Sequence, residues 1–161
     1  MARPYFSPVV AILMLSGYVQ AQARPTCPVV AKSLGAMKGC YRPLLVFSAN
    51  GDDFRLRRQV DLLDKAADDM IDRFVLYTPI VPDGRRVSTP ADSPYTILDA
   101  KEMGAARAQF HIPAGDFAVL LLDEDGGVLL RTAAPVGADR LNAVIDKTPA
   151  RQAEMQRPHA N

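Results

Sequence analysis

Cysteine occurs only twice in the 161-residue chain, as Cys27 and Cys40, and no Cys-x-x-Cys pair is present. That removes the dithiol whose thiolate sits at the start of a helix in the common oxidoreductases. Histidine is equally scarce: His111 and His159 are too few, and too far from a cysteine pair, to form a zinc pattern. Neither a Gly-rich phosphate loop nor a Gly-x-Ser-x-Gly elbow occurs, so nucleotide hydrolysis and elbow-type esterase chemistry have no sequence support. No cofactor and no metal are therefore expected. Charge of one sign is also lacking, with 19 Lys and Arg against 18 Asp and Glu. Such a balance gives no long-range attraction for nucleic acid or an anionic membrane. No repeat appears, and 48% apolar with 23% charged residues fits one ordinary globular domain.

The first twenty-odd residues differ from the rest. Arg3 supplies a basic start, Val9 to Leu15 a short apolar core, and Val19-Gln20-Ala21 or Ala21-Gln22-Ala23 a small-residue cleavage site. The core is far short of the roughly 20 residues that span a bilayer. Residues 1–21 therefore read as a secretory signal peptide, with no membrane insertion after cleavage and a periplasmic or extracellular location. Arg24-Pro25-Thr26 before Cys27 is unlike a lipidation signal. An oxidising compartment allows Cys27 and Cys40 to pair. The bond would close a short loop and contribute about 3 kcal/mol; two free thiols are the alternative, and spacing alone decides neither.

Three runs, Leu44–Phe47, Phe74–Tyr77 with Ile80-Val81, and Phe117–Leu122, are nearly continuous in apolar character, as strands covered on both faces are. Between the first two, Leu56, Val60, Leu63, Ala67, Met70 and Phe74 recur at steps of four and three, which predicts one helix of about 20 residues. Strand, helix, strand in this spacing implies a right-handed parallel crossover. The proline-rich stretch 82–95 reads as a long loop. Asp99 to Glu102 resembles a capping box for a helix to about Gln109. Asp123-Glu-Asp-Gly-Gly127 then reads as a hairpin turn before Val128-Leu-Leu130. A last helix spans about Ala138 to Asp146, and Thr148-Pro149 caps a further short one. The order is β-α-β-α-β-β-α: an α/β fold with a mixed four-stranded sheet flanked by helices, the three apolar runs forming its central strands, which is the thioredoxin order.

The string from Arg42 to Gln59, the strand into Asp123–Val128 and above all Asp146-x-x-Pro149-x-Arg151-Gln152-x-Glu154-Met155 resemble the bacterial secreted family known as domain of unknown function 4174. The resemblance covers about residues 40–155. It implies a thioredoxin-like fold, related to modules of some animal extracellular-matrix proteins, with no established activity and no catalytic residues to carry over. Members commonly have a polar residue just before the first-strand Arg; here Cys40-Tyr41 stands there, which leaves the role of Cys40 open. The chain divides into the signal peptide, an N-terminal segment 22–40, the domain 41–155 and a polar tail 156–161.

The strand-to-helix turn that would carry reactive cysteines holds Ser48-Ala-Asn-Gly-Asp-Asp53 instead. Cys40 precedes the strand, so five or six residues would place it roughly 15–20 Å away, at the opposite end of the sheet. Asp52 and Asp53 read as helix-capping residues. The functional alternative groups them with Ser48, Asn50 and Asp116 around a polar mouth suited to a cation or a hydrogen-bonding ligand. A twelve-residue calcium loop starting at Asp123 would end in Glu, and Ala134 stands there. Arg151, Gln152 and Glu154 form either a surface recognition patch or the polar side of a terminal helix docked on the sheet. Arg42 and Arg73, at the starts of adjacent strands, are expected to pair with acids. The function expected is a non-catalytic exported module binding a protein or envelope component; the alternative is a redox protein using Cys40 with Cys27 as resolving partner.

Overall fold

The computed structural model describes residues 27–82 and 87–157. The expected signal peptide and cleavage site, and the end of the expected polar tail, lie outside the described residues. Helix α1 (Leu34–Met37) precedes β1 (Arg42–Phe47); α2 (Phe54–Asp64) and α3 (Ala67–Asp72) lead to β2 (Val75–Ile80). Then come α4 (Ala100–Gln109), β3 (Ala118–Leu122), β4 (Val128–Thr132), α5 (Ala138–Ile145) and α6 (Pro149–Met155). The strands form one sheet in the order β2-β1-β3-β4, with β1 parallel to β2 and β3 antiparallel to both β1 and β4.

Every residue of β1, β2 and β3 is buried, because helices cover both faces of the sheet. Strand alternation divides the core. Leu44 and Val46 face Leu56, Val60 and Leu63 of α2 and Leu141 and Ile145 of α5. Leu45 and Phe47 face Met37 of α1 and Met103 and Ala106 of α4. The N-terminal segment is part of this body, since Ala31 and Met37 are buried in the second layer and the Thr96 hydroxyl donates to the Ala31 carbonyl at 2.8 Å. The domain thus begins before Tyr41.

Two expectations need correction. The apolar stripe from Leu56 to Phe74 is not one helix: the chain breaks at Lys65-Ala66, where Ala66 adopts φ −137°, ψ 33°. Leu63 and Met70 keep their inward direction on either side of the break, so the periodicity survives it. Phe74 has left the stripe, in a left-handed conformation at φ 53° and 40% exposed. Second, β2 is an outer strand rather than a central one. It carries Pro79, which a strand paired on both sides would not readily hold. A single parallel bridge, Tyr77 to Tyr95, covers its outer edge from the loop. That loop is fastened by Ser93 Oγ donating to the Leu63 carbonyl and by the Ala91 N–H donating to Asp64.

Candidate functional site

The turn after β1 is tied down by its own side chains. The buried Ser48 hydroxyl lies 2.8 Å from the Asn50 carbonyl and 3.3 Å from Asp53 Oδ2. Asn50 Oδ1 accepts from the Asp52 N–H at 3.0 Å. Asp53 is the N-cap of α2, its Oδ1 accepting from the Arg55 N–H at 2.9 Å. Asp52 lies one residue outside the helix and is exposed.

Two arginines, absent from the sequence-derived site, complete the mouth and add donors to it. The Arg55 guanidinium pairs with Asp53 at 2.7 Å and stacks 4.5 Å over the ring of Phe117. Hydrogen bonds from Arg55 hold the Asp53 carboxyl below the usual carboxylate range, and the same pair raises Arg55. Arg107 reaches in from α4 and donates to the Ser48, Ile80 and Pro113 carbonyls, joining the ends of β1 and β2 to the segment before β3. Burial lowers its pKa, against the attraction of Asp116. Asp116 itself is exposed at the rim, so Ser48, Asn50, Asp53 and Asp116 do converge, around guanidinium groups rather than an acidic hollow.

The Ser48 proton is shared between a backbone carbonyl and a carboxylate already paired with Arg55, and a carboxylate of depressed pKa is a weak general base. The turn contains no sulfur. Both cysteines lie at the other end of the sheet, joined as Cys27–Cys40 with Cα atoms 5.5 Å apart, inside the range of ordinary disulfides. Cys40 is buried and Cys27 exposed. Among the described residues no group of three or more His, Cys, Asp or Glu is arranged to hold a metal, and no helix is long and apolar enough to cross a membrane.

The third candidate group is mostly not a surface. Arg151 and Glu154 point inward from α6, Arg151 onto Asp72 and Glu154 onto Arg42 at 3.0 Å, leaving only Gln152 exposed. Arg73 pairs with Asp146 at 2.9 Å. No signal local to the sequence links Arg107 to Ser48 or Asp72 to Arg151. Arg55 alone had one, two positions from its cap.

A mixed β2-β1-β3-β4 sheet covered on both faces, with the polar turn at the end of β1, defines a thioredoxin-like protein. The family model described as Domain of unknown function (DUF4174) matches residues 33–154, and the chain belongs to that family. Among solved structures it is similar to Plasmodium yoelii Prx1a, at 19% identity over 80% of this chain and 84% of that one, with a TM-score of 0.57. The reduced 2-Cys peroxiredoxin of Plasmodium vivax is similar at 18% identity over 80% and 76%, TM-score 0.56. The pneumococcal exposed lipoprotein thioredoxin of Streptococcus pneumoniae is similar at 13% identity over 71% and 90%, TM-score 0.50. At such identities the likeness is one of fold. A comparison with curated proteins found no match.

Proposed function

We propose that the protein is an exported, non-catalytic thioredoxin-like module that binds a protein or another envelope component. One observation carries this reading: the turn where the fold would place a nucleophile is closed by Ser48, Asn50, Asp53 and two arginines, while the only two cysteines are bonded to each other at the far end of β1. A mouth built from guanidinium, carboxylate and aromatic groups favours recognition, because Arg55 over Phe117 offers a flat polar surface with its charge already balanced. Export is supported by the signal read in residues 1–21. Protein recovered outside the cytoplasm should begin at Gln22 or Arg24 by mass spectrometry, and intact Met1 would sink that part of the reading.

The activity test is insulin reduction and peroxide consumption by wild type and Cys40→Ser. Neither protein should turn over. The solvent-exposed Cys27 side of the disulfide favours the competing redox reading. Robust wild-type turnover abolished in Cys40→Ser would overturn the non-catalytic reading and support the redox one, in which Cys40 acts with Cys27 as resolving partner.

A further inference from the structure

Helix α6 is attached to the domain in an unusual way. Seven residues are too few to hold a helix in water without tertiary contacts. Yet Pro149, Ala150, Ala153 and Met155 are all exposed, and the side chains turned toward the body are Arg151 and Glu154. Arg151 donates to the Asp72 carbonyl at 3.0 Å, pairs with the Asp72 carboxylate and with Glu154 at 3.3 Å, and lies 3.6 Å from Asp146. Glu154 holds the Arg42 guanidinium at 3.0 and 3.4 Å. Arg42 is fully buried and also donates to the Arg73 carbonyl and meets Glu124, from the β3–β4 turn, at 3.3 Å. Arg73 binds Asp146, Asp69 and Asp72. Three guanidinium groups thus face five carboxylates, drawn from β1, α3, the end of α5, the hairpin turn and α6.

We propose that α6 is an electrostatic strap, held across the start of β1 by Arg151 and Glu154 and released as a unit, ahead of the sheet, when acid discharges those pairs. Ordinary helix docking rests on apolar burial, which proton concentration does not touch; here the inward-facing groups are ionic. Neutralising Glu154 takes one carboxylate from the fully buried Arg42, leaving it Glu124 and the Arg73 carbonyl, and one from Arg151; weakening the pairing of buried charges is strongly unfavourable, so loss of Glu154 charge opens the helix instead of loosening one bond. Opening exposes Arg42 and widens the cavity of about 280 Å³ that Arg42, Glu124, Leu129, Thr148 and Pro149 line.

The direction with pH follows from the carboxylates. Burial pushes the Glu154 carboxyl up, but Arg42, a hydrogen bond accepted from the Glu124 carboxyl and Arg151 outweigh it and hold the pKa below the usual range. Arg73 first, and Arg151 second, do the same for Asp146. A depressed folded-state pKa contributes docking that is complete above the ordinary carboxyl range, from about pH 5, and is lost progressively as pH falls through the folded-state values.

The test is native-state amide exchange of the disulfide-intact protein, corrected for intrinsic rates, comparing Gln152 to Met155 with β1 and β3. Between pH 7 and about pH 3.5 the α6 amides should lose roughly tenfold or more protection while β1 and β3 lose much less. Glu154→Gln should show that loss already at pH 7 and respond little to further acid, whereas Gln152→Glu, at the exposed position, should behave as wild type. The proposal is overturned if wild-type α6 and β1 lose protection together at both pH values, or if Glu154→Gln keeps wild-type protection and pH response.

Discussion

At the residue scale the turn after β1 separates two adjacent carboxylates that sequence alone treats alike. Asp53 caps α2 and is paired with Arg55; Asp52 faces solvent. Asp53→Ala should therefore lower stability by about 0.5–2 kcal/mol, and Asp52→Ala by less than about 0.5 kcal/mol, by urea denaturation at pH 7. Because Arg55 depresses the Asp53 pKa, the difference between the two variants should be full above about pH 4 and shrink below it. Equal losses at pH 7 would contradict the assignment. The capping chemistry was legible because a cap is local: an Asp lies next to the groups it serves. Arg107 was not, since its three carbonyl partners sit 59, 27 and 6 positions away and nothing in a helix-period pattern marks a guanidinium that will reach them.

Among elements, β1, β2 and β3 were the most legible, because two-sided burial writes a nearly continuous apolar run. The break between α2 and α3 was hidden for a related reason: the stripe continues through it, so periodicity reports direction of burial and not continuity of the helix. Gln59 is a second residue that the stripe conceals. It lies among Leu56, Val60 and Leu63, fully buried, with its amide nitrogen donating to the Val136 carbonyl at 2.9 Å and its oxygen accepting from the Val136 N–H at 2.8 Å. This reciprocal pair fixes α2 against the segment leading into α5. Gln59→Leu would improve the apolar pattern while orphaning two buried backbone groups, at about 1–3 kcal/mol each. Gln59→Glu keeps the acceptor and loses the donor, so it should also destabilise at neutral pH. A Gln59→Leu protein as stable as wild type in urea would show that water or a local shift satisfies Val136.

For the molecule as a whole, the two ends of the sheet are held by different interactions. The mouth end is bound by Arg107 and the turn, whereas the opposite end gathers the disulfide, the α6 strap and a cavity of about 270 Å³ beside α1, lined in part by Leu34, Met37, Tyr41, Pro43 and Leu122. The family's closing motif resolves into this second end, with Asp146, Arg151 and Glu154 all serving as ion-pair partners within it. The disulfide there closes a loop of sequence separation 13. Its removal should cost about 3 kcal/mol, chiefly by freeing the unfolded chain. The native segment has other anchors: Tyr41 Oη donates to the Pro28 carbonyl at 2.6 Å, Thr96 Oγ1 to the Ala31 carbonyl, and Ala31 and Met37 are in the core. A reduced or Cys27→Ser/Cys40→Ser protein should therefore keep its sheet, with an unchanged far-ultraviolet dichroism spectrum and a lower urea midpoint. An unchanged midpoint would mean the bond constrains nothing, and loss of the dichroism spectrum without denaturant would mean that the remaining anchors cannot hold residues 27–40 against β1.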